Sequence, residues 1–555
     1  MSANILAALL HALPVLAPLV AALLLARRGR SRALAIGAAP WLPLSLLLPL
    51  VSGGQTGSPV LLLGLTLGTD AVSAPLILLC ALAWTLAGLY ARARIQRDRV
   101  LLWSGWLTSL AGISLALLAQ DLGSFYAGYA VLSLASWLLV IHARSAEAWR
   151  AGRVYLVLAL AGEMAVFAGV MAIAVRVGNV ALVNLACSAA LDPGWRALIL
   201  AGFAVKLGTI PLHVWLPLAH PVAPVPASAI LSGVIVKAGL FGMLRLVPPG
   251  ASGTELFGPV LFGFGLFSAF AAVLLGLGQH RPKVVLAYST VSQMGLVLAM
   301  YAALLMAPES APLLLPWLGL LVLHHGLNKA ALFLACGCAP GRSRLRLALV
   351  VLPALAIAGA PLSSGMYAKT GLKQALAAAD FGSGWLVLLG LSSVASALLM
   401  WHFLCLLQKD RHYHSAHPAW ILMTLAGLAV PWLWGLSHSL DPQPGHALWP
   451  SLWPLLVAAM LVWVARRMPR FRIPEIPAGD LVVPLEAPLG ALVARLRRVA
   501  DSDRRYRVKL YPVHVRITLM GLWLERKMSA MPVAGALILA LGGLMWLASR
   551  SPGIK

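Results

Sequence analysis

Lys206-Leu-Gly-Thr-Ile-Pro-Leu-His-Val-Trp-Leu-Pro217 and Gly359-Ala-Pro-Leu-Ser-Ser-Gly-Met-Tyr-Ala-Lys369 interrupt two long apolar runs, and their reading decides the fold. Both carry Pro-Leu shortly after a small residue, with a lysine within about two helical turns. Pro lacks the backbone N–H that a continuing helix needs, so each run is expected to break there. A break inside a membrane exposes backbone dipoles near the bilayer midplane, where an ion can be held.

The rest of the chain fits that reading. Of 555 residues, 61% are hydrophobic and 11% charged, and the mean hydropathy is +0.88. Such a composition excludes an ordinary soluble domain. Apolar runs of about 20 residues, enough to cross a bilayer, recur along nearly the whole length. They are expected near 4–25, 34–51, 71–91, 100–119, 121–142, 154–176, 193–216, 226–247, 257–278, 284–306, 312–340, 347–376, 382–407, 418–438, 447–467 and 528–549. The fold class is therefore an all-α polytopic membrane protein. The first run has neither a basic leader nor a small-residue cleavage site and reads as a retained span, not a signal peptide.

The two interruptions fall five spans apart. Because five is odd, spans four to eight and nine to thirteen would form two five-helix repeats of inverted orientation. The resulting divisions are N-terminal helices over 1–95, a first repeat over 96–250, a second over 251–410 and additional spans over 411–467. A basic amphipathic segment over 468–527 and a final helix over 528–555 complete them. The amphipathic segment suits either a docking arm for a neighbouring subunit or a surface anchor.

The formal net charge of +25 does not signify nucleic acid. The arginines and lysines cluster in the short breaks after odd-numbered spans, as the positive-inside rule requires of cytoplasmic loops, with lipid headgroups as their partners. An inner membrane of a bacterial cell is the expected location. The cysteines form no CxxC pair, and no GxGxxG or Walker loop occurs, so neither metal nor cofactor is expected.

Ionisable side chains inside spans cost about 2.5–3.5 kcal/mol each on insertion scales and so call for a partner or a function. The candidates are Glu163, Lys206, Lys237, His325, Lys329 and Lys369, with His213, His324, Lys373 and His402 as further relay groups. Lysine suits proton handling because burial disfavours its charged form whereas a nearby carboxylate favours it. Histidine titrates near neutral pH and can pass a proton on. Glu163 is the one acid placed deep within a span and is the candidate partner of Lys206.

Several motifs then carry a resemblance. Phe203-Ala-Val-Lys206 to His220, Ala227-Ser-Ala-Ile-Leu-Ser232-Gly-Val-Ile-Val-Lys237, Lys283-Val-Val-Leu-Ala-Tyr-Ser-Thr-Val-Ser-Gln-Met-Gly295, His325-Gly-Leu-Asn-Lys329 and Gly359-Ala-Pro-Leu to Lys369 occur in order. Together they resemble the antiporter-like subunits shared by respiratory complex I, Mrp-type sodium/proton antiporters and membrane-bound hydrogenases. The resemblance implies fourteen core helices, inverted five-helix repeats and a proton path along a central polar axis. It also implies that the chain works beside other membrane subunits of a complex, moving protons, with sodium left open.

On that pattern Lys206, Lys237, Lys329 and Lys369 match the axis lysines and His325 the histidine that links the halves. Ser232 stands where many relatives have histidine. Ala130 stands where the family carries a glutamate, so either the pairing is lost or Glu163 supplies it. Ile476-Pro-Ala-Gly-Asp480 and Ala500-Asp-Ser-Asp503 resemble the tail of subunits related to the D component of Mrp antiporters. Three settings stay open: an Mrp-type antiporter, the membrane arm of a redox-driven hydrogenase or quinone reductase, and an energy-coupling partner of an inorganic-carbon uptake complex. The chain carries no redox or hydrolytic centre of its own, so any enzyme role is that of a translocase subunit.

Overall fold

The computed structural model describes residues 2–482 apart from 59–63, 179–180, 183–184, 186–191, 339–342, 410–414, 442–447, 469–473 and 480–481. The span expected near 528–549 and nearly all of the basic segment over 468–527 lie outside the described residues. Among those residues, twelve helices are long and apolar enough to cross a membrane, or thirteen if one bent pair counts as a span. The chain is a multi-pass membrane protein.

From the N-terminus, α1 (Ser2–Leu25) precedes the bent pair α2 (Arg30–Ala38) and α3 (Leu47–Ser52). An antiparallel hairpin of β1 (Gln55–Ser58) and β2 (Leu65–Gly68) follows. Then come α4 (Ala74–Arg94), α5 (Arg99–Leu118), α6 (Leu122–Val140), α7 (Ala146–Val177), α8 (Pro193–Leu207), α9 (Trp215–Val222) and α10 (Val225–Ile230). A π-turn over Leu231–Ile235 leads into α11 (Lys237–Leu246), α12 (Gly258–Leu277), α13 (Pro282–Met306) and α14 (Ala311–Ala335). The last described helices are α15 (Arg344–Ala358), α16 (Ser364–Ala378), α17 (Ser383–Lys409), α18 (Pro418–Ser437) and α19 (Leu448–Arg467).

Three runs that hydropathy presents as single spans are each two pieces. The run near 34–51 bends by 56° between α2 and the helical stretch Leu42–Ser52 that ends in α3, where Pro40 and Pro43 withhold backbone donors. The run near 193–216 stops at Leu207 because Gly208 closes α8 in the left-handed region at φ 73°, and Pro211 cannot resume the helix. The run near 347–376 stops at Ala358 for the same reason, with Gly359 at φ 84°. There α16 restarts under the Ser363 side chain, which accepts from the Met366 N–H. The α8 and α15 helices have 15 residues each, fewer than the about 20 that a full crossing needs.

Burial rises steeply toward the centre. In the spans Val225–Leu246, Pro282–Met306 and Pro308–Ala335, 94% of the most apolar stretch is buried, against 17% in Leu448–Arg467. The α14 helix packs on α4, α10, α15, α16 and α18 and so forms the axis of the bundle. Lys329 lies in its last two turns. The apolar stretch Cys336-Gly-Cys338 prolongs the hydropathy but not the helix, so this lysine sits farther from the middle of its helix than the run 312–340 implies.

One end of the bundle is tied by charge. Asp70, between β2 and α4, receives Arg245 Nη2 at 2.5 Å and Gln120 Nε2 at 3.3 Å, while its other oxygen accepts the Val72 and Ser73 N–H groups. Burial alone would raise the Asp70 carboxyl, but the Arg245 charge and these hydrogen bonds outweigh it and hold the group below its ordinary 3.8. A lowered carboxylate contributes stability above its unfolded value, and that stability is lost as pH falls through the folded one. The melting temperature of the detergent-solubilised protein is therefore expected to fall as pH drops below about 4. Asp70→Asn should cost about 1 kcal/mol at neutral pH and remove that part of the acid limb; an acid limb identical to wild type would refute the assignment.

Candidate functional site

Lys206 is 4% exposed in the final turn of α8, and the close crossing of α7 with α8 sets its surroundings. At that crossing a Cβ on Gly202 would meet the Gly162 carbonyl oxygen at 2.5 Å, so only glycine lets the two backbones approach this closely. Glu163, next to Gly162 and 5% exposed, thereby comes within electrostatic reach of Lys206. Among the described residues no ion pair joins the two groups, and Glu163 Oε2 has no hydrogen-bond partner. Lys206 Nζ instead donates to the Tyr155 hydroxyl at 3.4 Å, which donates to the Ser133 carbonyl of α6 at 2.9 Å. The ammonium also lies 5.7 Å and 5.6 Å from the ring centres of Tyr129 and Tyr155. Ala130 lies on the same face of α6 as Tyr126 and Ser133, four residues after one and three before the other.

Lys237 and Lys329 are fully buried. The π-turn ahead of α11 shifts the backbone bonding, so that the Val236 N–H reaches back to the Leu231 carbonyl, and the Ser232 carbonyl accepts Lys237 Nζ at 2.5 Å. The Ser232 hydroxyl pairs with Thr290 Oγ1 at 2.7 Å. Thr290 donates to the Leu286 carbonyl, the same oxygen that accepts Lys329 Nζ at 2.9 Å. The two lysines are thus joined through one serine, one threonine and one shared carbonyl.

Lys369, 4% exposed, turns back to the break between α15 and α16. It donates to the Ile357 carbonyl at 3.0 Å and to Ser393 Oγ of α17 at 3.4 Å. Lys373 is half-buried one turn further along and within electrostatic reach of Lys369. His325 lies within reach of Lys237, Lys329, Lys369 and His324. Among the described residues, neither of its ring nitrogens meets a protein partner, which leaves both for water or a moving proton.

Residues 119–399 match the family described as NADH:quinone oxidoreductase/Mrp antiporter, transmembrane. The chain belongs to this family. Among its relatives is Hydrogenase-4 component B of Escherichia coli strain K12, 32% identical over 289 residues that make up 49% of this chain and 43% of that protein. Another is NAD(P)H-quinone oxidoreductase chain 4 2 of Microcystis aeruginosa, 32% identical over 288 residues, 50% of each chain. The chain spans about half the length of these curated relatives. Its fold is also that of a chain in the Mrp complex of Dietzia sp. DQ12-45-1b, with a TM-score of 0.72 at 19% identity, covering 94% of this chain and 63% of that one. A chain of the archaeal membrane-bound sulfane sulfur reductase gives 0.65 at 22% identity, covering 80% and 100%.

Within this antiporter-like chain the candidate residues divide by position. Lys237, Lys329, His325, His324 and Lys369 converge around α14, whereas Glu163 and Lys206 form a second cluster between α7 and α8. His213 is buried in the break between α8 and α9, its ring 6.0 Å from that of Tyr288. His324 Nδ1 is hydrogen-bonded to Ser364 Oγ at 2.9 Å, at the start of α16. His402 stands apart. It is half-buried against the α12–α13 turn, its Nε2 bonded to the Gln279 carbonyl at 2.7 Å.

Sequence reasoning passed over His220, which is fully buried within reach of Lys237, Lys283 and Lys329 and has neither ring nitrogen paired. The signal was a histidine amid apolar residues, as for the groups it did select. The roles of Tyr155, Ser133 and Thr290 had no such signal, because hydroxyls are common on helices that bury nothing charged. Gly202→Leu is expected to force α7 and α8 apart and cost about 1–3 kcal/mol. A melting temperature equal to wild type would show that this crossing tolerates a side chain and does not set the Lys206 site.

Proposed function

We propose that the chain is a proton-translocating subunit of a multisubunit complex in a bacterial inner membrane. Its path runs along Glu163, Lys206, Lys237, His325, Lys329 and Lys369, with His213, His324 and Lys373 beside it and His402 at the margin. The observation that carries this reading is the convergence of Lys237, Lys329 and Lys369 on His325, these lysines and Lys206 each being at most 4% exposed. A merely structural bundle gains nothing from such groups, since each costs about 2.5–3.5 kcal/mol to insert. A proton carrier needs them, because a desolvated ammonium held by neutral acceptors releases its proton at modest cost.

Two inverted five-helix repeats within a fourteen-helix core account for the matching breaks. In each, a 15-residue helix ends on a left-handed glycine followed by proline. Glu163 takes the part of the acid that is absent at Ala130. An unpartnered carboxylate oxygen in reach of Lys206 supports this.

The relatives named as a hydrogenase component and a quinone oxidoreductase chain favour a second setting, in which a redox partner drives the same path. Membrane vesicles carrying the whole complex and a pH-sensitive dye test the common element. Lys206→Ala and Glu163→Gln are each expected to slow proton movement at least about tenfold, or ~1.4 kcal/mol on the barrier. Wild-type flux in both variants would overturn the reading. Imposing a sodium gradient on the same vesicles separates proton-only from coupled transport.

A further inference from the structure

We infer that Tyr155 is a positioning residue that holds the Lys206 ammonium away from Glu163 at rest, so that transport involves an exchange of Lys206 between the Tyr155 hydroxyl and the Glu163 carboxylate. The inference rests on the proton-transport reading above and deepens it.

Three observations carry it. First, Lys206 is bonded to the wrong partner for a simple ion pair. Its Nζ meets the Tyr155 hydroxyl at 3.4 Å, while Glu163 Oε2, buried and in electrostatic reach, is bonded to nothing. Leaving a buried carboxylate oxygen without a partner is unfavourable, so something competes for the lysine.

Second, the competitor is built for the purpose. Tyr155 is 1% exposed and gives its own proton to the Ser133 carbonyl at 2.9 Å, which leaves the oxygen lone pairs to accept from Lys206. The rings of Tyr129 and Tyr155 add a cation–π attraction. A hydroxyl already committed as donor holds the ammonium without taking its proton, so Tyr155 positions the lysine and does not relay.

Third, Tyr155 is tied to the helix break. Its ring packs edge-on against Trp215 at 5.2 Å, and the Trp215 indole N–H donates to the Val205 carbonyl, next to Lys206, at 2.8 Å. Trp215 opens α9, on the far side of the break from Lys206. A shift of α9 therefore moves Tyr155 and the backbone beneath Lys206 together, which links the break to the exchange.

The test is a double-mutant cycle in vesicles carrying the full complex, with proton flux, complex abundance and melting temperature measured for each variant. Tyr155→Phe keeps the ring and its packing and loses only the hydroxyl. It should lower flux about fivefold in the wild-type background and less than about twofold with Glu163→Gln, because both substitutions act on one exchange. Tyr155→His, which retains an acceptor nitrogen, should recover most of the flux, and flux is expressed per amount of assembled complex so that poor assembly of Tyr155→Phe is not read as lost transport. Wild-type flux in Tyr155→Phe, or an equal loss in both backgrounds, would overturn the inference while leaving the transport reading intact. Wild-type flux in both Lys206→Ala and Glu163→Gln would instead remove the transport reading and this inference with it.

Discussion

A lysine ammonium inside an apolar bundle must find hydrogen-bond acceptors, and an unbroken α-helix has almost none to spare because its carbonyls are already paired. The structure meets this need by breaking or widening helices beside the lysines. Lys369 takes the Ile357 carbonyl, in the final turn of α15, where the helix leaves its last oxygens unpaired. Lys237 takes the Ser232 carbonyl inside a π-turn. Lys206 stands at the last turn of α8, bonded to a tyrosine hydroxyl of the preceding helix, α7. Lys329 shares the Leu286 carbonyl with Thr290, whose side chain bonds back one turn. For Lys237 and Lys369, the irregular backbone thus supplies the acceptor that the buried charge requires.

Neutral acceptors hold an ammonium more loosely than a carboxylate does, and the molecule applies this unevenly. Among the described residues, Lys237, Lys329 and Lys369 meet carbonyls and hydroxyls, whereas Lys206 has an acid within reach. The two clusters therefore differ in kind. Around α14, Lys237, Lys329 and Lys369 all lie within electrostatic reach of His325. Between α7 and α8 a single lysine is balanced between a phenol and a carboxylate.

Glycine contacts bring the pieces together. A Cβ on Gly326 would meet the Gly233 carbonyl oxygen at 2.7 Å, so α14 and the π-turn touch backbone to backbone directly beside His325. Close approach of this kind replaces the hydrophobic drive that lipid removes between membrane helices. At one end of the bundle, the Asp70–Arg245 pair ties the N-cap of α4 to the last turn of α11.

The sequence by itself determined the membrane class, the family and the four buried lysines, since a lysine in an apolar run is conspicuous on hydropathy alone. It also marked the helix breaks at Gly208 and Gly359, because Gly and Pro punctuate locally. What it left open was partnership. Whether Lys206 meets Glu163 or Tyr155, whether Ser232 uses its carbonyl or its hydroxyl, and that His402 stands at the α12–α13 turn are settled by residues tens to hundreds of positions away. Those pairings depend on how helices cross, and only the tertiary structure decides that, because side chains on a helix reach only a few residues along their own chain.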